Sequence, residues 1–119
     1  MRNIIFKYVQ EKYNSQPEYL WIKYPNYAIF RHNDNNKWYG VIMNISKSKL
    51  SINESGIVDI LVVKCDKLLL GSFLQEKGFF PAYHMNKANW ITILLDGSVS
   101  KEEIFKFIDM SFYLTKNKS

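Results

Sequence analysis

The sequence predicts an α+β fold: a single-domain two-layer sandwich in which helices pack on one face of an antiparallel sheet. Three observations predict it. Segments with helical spacing lie at both ends of the chain, and short branched or aromatic segments joined by polar turns lie between them. In addition, 119 residues suffice for one hydrophobic core, and the hydrophobic and charged shares of 47% and 23% are typical of globular chains. We therefore expect residues 1–119 to form one domain.

The first part of the chain predicts a helix followed by a hairpin. Apolar side chains recur on one face of a helix over residues 2–13, and Pro17 ends that segment because it removes a backbone donor. Residues 27–32 and 37–45 then read as two strands. The Asn/Asp cluster at 33–36 joins them as a hairpin tip, since Asn and Asp tolerate left-handed backbone.

The middle of the chain predicts two strands and a helix. The polar connection after the hairpin holds a short strand at residues 50–52, and the branched run 58–64 is a largely buried strand. Asp66 caps a helix over residues 67–77. Gly71 inside that helix predicts a close packing contact, because glycine otherwise weakens a helix interior.

The end of the chain predicts a strand and a long helix. Residues 90–96 form an apolar strand. Ser100 and Glu103 then have the spacing of a capping box, and Val99 can pack against Ile104 as a hydrophobic staple at the start of the last helix.

Charge and composition limit the class of protein. The net charge is +5, and the first 50 residues hold 8 Lys/Arg against 3 Asp/Glu, which suits an anionic partner or simply keeps the protein soluble. The single cysteine excludes an intramolecular disulfide. Charged residues interrupt the apolar start of the chain, and no apolar run is long enough for a bilayer, so we expect a cytoplasmic protein without a membrane partner.

No catalytic residue, metal site or cofactor is predicted. Cys65, at the end of an apolar strand, is expected to be buried and inert. His32 and His84 are isolated from other metal-ligating residues, and the five glycines are scattered rather than gathered in a phosphate-binding loop.

Two stretches combine cations with aromatic rings. In "PAYHMNKANW" we expect Trp90 to anchor the loop in the core and Tyr83, His84 and Lys87 to form a surface site. In "RHNDNNKWYG" Arg31, Lys37 and Trp38 flank the hairpin tip. A basic β-ribbon can lie in a groove of nucleic acid, whereas the alternative is a solvated turn before a half-buried strand.

The stretches "VVKCDK", "FFPAYHMNKANWITILLD" and "IDMSFYL" together resemble the MmcQ/YjbR family over nearly the whole chain. The matching positions are Lys64, Pro81, Tyr83, His84, Lys87, Trp90 and Ser111. Two positions depart from the family pattern: Asn89 stands where many members have His, and Phe112 where the family has Tyr. The resemblance implies a fold similar to that of the bacterial frataxins (CyaY-like) and a double-wing DNA-binding role. It does not bring frataxin's iron binding, because the first helix is basic rather than acidic.

Three hypotheses remain open at this point. The first is a non-enzymatic nucleic-acid-binding domain, with DNA as the expected partner. Its phosphate contacts would be made by Arg31, Lys37, Lys64 and Lys87. Its stacking residues would be Tyr83 and Trp38. The second is a pocket or unrecognised enzyme for a small anionic ligand, built on Lys64, His84 and Lys87. The third is a protein-interaction adaptor with an exposed apolar patch. The oligomeric state is left open.

Overall fold

A computed structural model describes residues 1–116 as five strands and three helices, which confirms the α+β prediction. The elements are α1 (Arg2–Tyr13), β1 (Ala28–Arg31), β2 (Trp38–Ser46), β3 (Ile57–Lys64), α2 (Leu70–Phe73), β4 (Phe79–Pro81), β5 (Trp90–Leu94) and α3 (Lys101–Thr115). The strands form one antiparallel sheet in the order β1-β2-β3-β5-β4. The branched strand β3 is therefore central, where both of its faces are buried.

All three helices lie on one face of the sheet, which we call the helix face. Ile5 and Val9 of α1 and Ile104 of α3 are fully buried there against Leu61 and Ile93 of the sheet. Burying an aliphatic side chain of this size contributes about 1.5–3 kcal/mol, so this layer supplies much of the stability of the fold.

Loops, rather than helices, cover the opposite face of the sheet, which we call the open face. Its apolar side chains are Ile29, Val41, Met43, Ile45, Leu50, Val58, Ile60, Val62, Ala82 and Leu94. Half-buried aromatic residues from the segments 21–27 and 80–90 pack against them. This arrangement leaves the half-buried aromatic residues of these two segments near solvent on the open face.

The two long helices agree with their sequence signals. The helix over residues 2–13 is confirmed, and the left-handed Asn14 ends it. The side chain of Ser100 accepts a hydrogen bond of 3.2 Å from the backbone N–H of Glu103, so the predicted N-terminal cap of α3 is present. Val99 is 3% exposed and lies in the same cluster as Ile104.

The helix predicted over residues 67–77 is wrong in length, because α2 has only four residues. Asp66 caps a turn instead, accepting a hydrogen bond from the N–H of Leu68 at 2.9 Å. The packing role predicted for Gly71 is also wrong, since a Cβ there would meet no atom within 4 Å. Gly78 has the close contact: its φ is +91°, and a Cβ would lie 2.6 Å from Val99 Cγ2.

Two further differences concern strands. The strand expected at residues 50–52 is absent, because Lys47–Leu50 forms a 3₁₀ helix that the left-handed Ser51 ends. The strand β4 was not predicted, since three residues ending in Pro81 give too short a pattern. It exists through its pairing with β5 at the edge of the sheet, where a proline is tolerated.

A β-bulge in β2 decides which aromatic side chain faces which side. Phe30 pairs with Gly40 but Arg31 pairs with Trp38, so Tyr39 is an extra residue in the ladder. Tyr39 is fully buried on the helix face, whereas Trp38 packs on the open face. The bulge therefore sends Trp38 to the side on which the candidate site lies.

Candidate functional site

A groove of about 680 Å³ lies on the open face, and we call it the aromatic groove. Its floor is formed by Val41, Met43 and Ile45 of β2. Its walls carry Trp21, Lys23, Tyr24, Tyr27, Trp38, Lys49, Tyr83, His84 and Met85. An apolar concave site with few polar groups is the usual form of a ligand-binding site.

The aromatic rings of the first wall hold one another in place. The Trp21 ring meets the Tyr27 ring edge-on at 5.9 Å and the Trp38 ring at 5.8 Å, while the Tyr24 and Tyr27 rings stack at 4.7 Å. Burial raises the pKa of Tyr27, so its hydroxyl stays protonated at neutral pH. These contacts form a preorganised aromatic surface that a flat ligand can join without ordering the loop first.

The second wall is the loop between β4 and β5. The Tyr83 N–H donates to Thr92 Oγ1 at 3.0 Å, which attaches the loop to β5. His84 has a left-handed backbone with φ 60° and is exposed, and its ring lies 4.0 Å from the Tyr83 ring. Trp90 packs half-buried on the open face, as expected of an anchor for this loop.

A smaller cavity of about 220 Å³ adjoins the aromatic groove, and we call it the lysine cavity. Lys49 and Lys87 line it, together with Phe80, Ala82 and Tyr83. Lys49 and Tyr83 line both cavities, so the two lie next to each other and together form a depression on the open face.

The cations around this depression differ in how they are compensated. Among residues 1–116, Lys23, Lys49 and Lys87 form no ion pair, and all three are exposed. Arg31, by contrast, has its Nε 2.8 Å from Glu18 Oε2. The three lysines therefore keep their charge available for an external anion, whereas Glu18 already neutralises much of that of Arg31.

The other predicted cations lie at one end of the open face. Arg31 pairs with Trp38 in the ladder, and Lys64 pairs with Trp90, so cationic and aromatic positions alternate across this end. Lys37 is exposed beside Trp38. Arg31, Lys37 and Lys64 are not part of the lining of either cavity.

The hairpin tip is fastened to the helices. The Asn33 side-chain amide donates to the carbonyl of Asn14 at the end of α1, and that of Asn35 donates to the carbonyl of Thr115 at the end of α3. Asn36 takes the left-handed conformation expected of this cluster, with φ 62°. The tip is thus a fixed turn that presents Lys37, and its asparagines are already used within the fold.

The thiol of Cys65 and the imidazole of His32 are both buried within the fold. Cys65 is 2% exposed, and burial raises its pKa to about 11, which agrees with the inert thiol expected. His32 is also buried; its Nε2 lies 2.7 Å from Thr115 Oγ1, and burial lowers its pKa. Across residues 1–116, no three His, Cys, Asp or Glu side chains gather as a metal-ligand set, and no helix is long and apolar enough to cross a membrane.

The two family positions that depart from the pattern also serve the fold. The Phe112 ring stacks on the Tyr13 ring at 3.7 Å. The Asn89 carbonyl accepts the N–H of Cys65 at 2.7 Å, which holds the loop to the end of β3. Ser111 has a structural role as well, because its hydroxyl donates to the carbonyl of Tyr39.

The groove brings together Trp38, Tyr83 and His84 from the predicted site, and Lys87 lies in the adjoining lysine cavity. Sequence reasoning missed Trp21, Lys23, Tyr24, Tyr27 and Lys49. A signal for most of them existed in the aromatic density of "YLWIKYPNY", which begins at residue 19. Lys49 had no such signal, because only the 3₁₀ helix places it beside the groove.

Comparison with known proteins identifies relatives over almost the whole chain. A family model described as YjbR matches residues 10–114. The uncharacterized protein YyaQ of Bacillus subtilis (strain 168) is 45% identical over 115 residues, which are 97% of this chain and 98% of that protein.

Solved structures agree with the fold. A crystal structure of a Pseudomonas syringae protein superimposes with a TM-score of 0.95 at 44% identity, covering 98% of this chain and 99% of that one. A crystal structure of a Deinococcus radiodurans protein with the family-model domain DUF419 gives a TM-score of 0.75 at 19% identity, covering 99% and 80%, which supports the fold alone.

Proposed function

The chain belongs to the YjbR family, as the resemblance predicted, and we propose that it is a non-enzymatic DNA-binding domain that binds through its open face. One observation carries this proposal: Lys23 and Lys49, which form no ion pair among residues 1–116, line the aromatic groove, and Lys87 lines the cavity next to it. Aromatic surfaces for bases and cations for phosphates are the two components of sequence-tolerant nucleic-acid binding.

The distribution of charge supports the same surface. The excess positive charge of the chain lies in its first 50 residues, and Lys23 and Lys49 are part of that excess. Both side chains reach the open face, so the groove gathers charge from segments far apart in the sequence. Phosphate contacts of this kind release counterions, which makes affinity fall steeply with salt.

The remaining predicted cations extend the contact along the end of the sheet. Lys37 and Lys64 lie beside Trp38 and Trp90, where they can reach a backbone that leaves the groove. Arg31 is a weaker candidate, because a phosphate would have to compete with Glu18 for its guanidinium. We therefore assign the main phosphate contacts to Lys49 and Lys87.

The finer parts of the proposal come from the family resemblance. They are a frataxin-like (CyaY-like) fold and a double-wing mode of DNA binding, whereas a cytoplasmic location is expected from the sequence itself. The helices on one face of an antiparallel sheet support the first. The absence of an enzymatic role is supported by Cys65 and Ser111, whose reactive groups are engaged within the core.

The test is the salt dependence of DNA binding, measured by fluorescence anisotropy with a labelled mixed-sequence oligonucleotide, single-stranded and duplex. We expect the logarithm of affinity to fall linearly with the logarithm of salt concentration. Lys49→Ala and Lys87→Ala should each weaken binding and reduce the slope by about 0.7–0.9, the value of one lost phosphate contact.

The matched control is Lys106→Ala, which removes the same charge from an exposed position on α3, at the helix face. It should leave the slope unchanged. Equal losses from Lys106→Ala and Lys49→Ala would mean that net charge alone attracts DNA. A slope near zero for the unaltered protein would end the proposal.

A second candidate function is a binding site for a small anionic ligand. The volume of the aromatic groove favours it, because about 680 Å³ lies within the usual range of roughly 300–1,000 Å³ for small-molecule sites. Of the residues first proposed for such a pocket, His84 lines the groove, Lys87 lines the lysine cavity, and Lys64 lies outside both. A ligand-induced thermal shift that His84→Ala abolishes would support this function; shifts indifferent to that change would remove His84 from it.

A further inference from the structure

The open face offers two different environments side by side. The aromatic groove has an apolar floor and a wall of rings held edge-on or stacked. The lysine cavity next to it is smaller and is flanked by Lys49 and Lys87. Tyr83 and Lys49 line both. A ligand that fills both must therefore carry a flat ring and an anion a short distance apart.

Resting on the proposed function, we infer that this depression binds an unpaired nucleotide of a strand, with its base in the aromatic groove and its phosphate between Lys49 and Lys87. The same chemistry, an aromatic base linked through a sugar to a phosphate, is also that of a free mononucleotide, and the experiment distinguishes the two sources.

The concave shape of the groove suits an unpaired base. The segment 21–27 and the loop that carries Tyr83 and His84 form its walls, and β2 forms its floor. A base inside a duplex is covered above and below by its neighbours and joined to its partner strand. Only a base that has left the stack can place its ring between these walls.

The stacking contact with the base and the charge contact with the phosphate are made by different residues. Tyr24 is 45% exposed, and its ring lies on that of Tyr27 at the edge of the groove, so its removal changes the aromatic surface with little effect on the core. Lys49 is exposed and has no ion-pair partner among residues 1–116, so its removal takes away a cation and leaves the aromatic rings of the groove unchanged. A base contact and a phosphate contact can thus be tested independently.

The experiment titrates the protein with four ligands: a single-stranded oligonucleotide, the same strand with abasic sites, its duplex, and a mononucleotide. Quenching of tryptophan fluorescence reports occupancy of the groove, since Trp21 and Trp38 lie in its wall. We expect the base-containing strand to bind at least tenfold more tightly than the abasic strand and the duplex. A mononucleotide should quench too, but more weakly, because it lacks the neighbouring phosphates.

Single-residue variants show which side chain makes the base contact and which makes the phosphate contact. Tyr24→Ala should weaken binding of the base-containing strand about tenfold, within the range seen for one lost stacking contact, and should leave the abasic strand unaffected. Lys49→Ala should weaken the binding of both the base-containing and the abasic strand. Tyr113→Ala is the matched control, because Tyr113 is exposed on α3, at the helix face, and it should change neither.

The outcomes separate this inference from the proposed function. Salt-dependent binding that is equal for the base-containing strand, the abasic strand and the duplex would overturn the unpaired nucleotide and leave DNA binding intact. Quenching by the mononucleotide without binding of any oligonucleotide would overturn the strand as the ligand and the proposed function with it.

Discussion

The hydroxyl of Ser111 donates a 2.6 Å hydrogen bond to the carbonyl of Tyr39 and thereby attaches α3 to the bulge in β2. The same hydroxyl accepts the N–H of Lys64 at 2.9 Å. The ladder between β2 and β3 ends at the pair of Val41 and Val62. Beyond that pair, the Ser111 side chain bridges the two strands in place of a backbone hydrogen bond.

Replacing Ser111 by alanine should lower the free energy of unfolding by about 1–3 kcal/mol, because it leaves a buried carbonyl and a neighbouring N–H without their partner. Urea denaturation followed by circular dichroism measures this loss. Ser55→Ala is the control, because Ser55 is exposed in the connection between β2 and β3, and its effect should stay within about 0.5 kcal/mol. Similar losses at the two positions would contradict the bridging role.

Stability should fall as the pH drops below about 6.5, because burial lowers the pKa of His32. In this pH range His32 binds a proton more readily in the unfolded chain than in the folded chain, so protonation favours unfolding. The full contribution of His32 is present above its unfolded pKa and is lost progressively as the pH falls toward its folded pKa.

Urea denaturation between pH 7.5 and 5.5 measures this effect, whose slope cannot exceed about 1.4 kcal/mol per pH unit for one group. His32→Gln should reduce the slope, whereas His84→Ala, which retains His32, should keep it. A slope that survives His32→Gln would assign the pH dependence to other groups.

Two glycines should respond to alanine in opposite directions. Gly78→Ala should destabilise the protein by about 1–3 kcal/mol, because φ is +91° and the added Cβ would meet Val99 at 2.6 Å. Gly71→Ala should stabilise it by about 0.5–1 kcal/mol, because the position is helical and open. Thermal denaturation of the two variants measures both signs, and destabilisation by Gly71→Ala would contradict the open surroundings of that residue.

The Cys65 thiol should resist labelling in the folded protein. It is 2% exposed, and its pKa is raised to about 11, so little thiolate is present or accessible at pH 8. Reaction with a thiol reagent at pH 8 should be slow without denaturant and rapid in concentrated urea. Equally fast reaction in both conditions would show that the strand end opens readily.

The parts of the fold that could be predicted are those with strong local signals. The apolar spacing of residues 2–13 and the Ser100 cap each identify a helix without help from the rest of the chain. The strand β4 has no such signal, because Phe79–Pro81 becomes a strand only by pairing with β5. The length of α2 was overestimated, since the apolar residues of 67–77 also suit a turn, and Gly71 weakens a helix there.

The residues of the candidate site also divide into those that a local sequence signal could predict and those that it could not. Tyr83, His84 and Lys87 could be selected because they are close in the sequence and mix cationic and aromatic character. Lys49 could not, because it reaches the groove only through the 3₁₀ helix that precedes β3. The aromatic density from residue 19 draws attention to Trp21, but no local pattern indicates that its segment folds across the open face.

The extra residue at Tyr39 also makes the surface chemistry of the open face depend on the backbone of the hairpin. Without the bulge, strict alternation from Gly40 would bring the indole of Trp38 among the helices and turn the phenol of Tyr39 outward. The bulge thus assigns one of two adjacent aromatic residues to the groove and the other to the core. Homologous chains that keep both roles should vary in the identity of these two rings more readily than in the presence of the bulge.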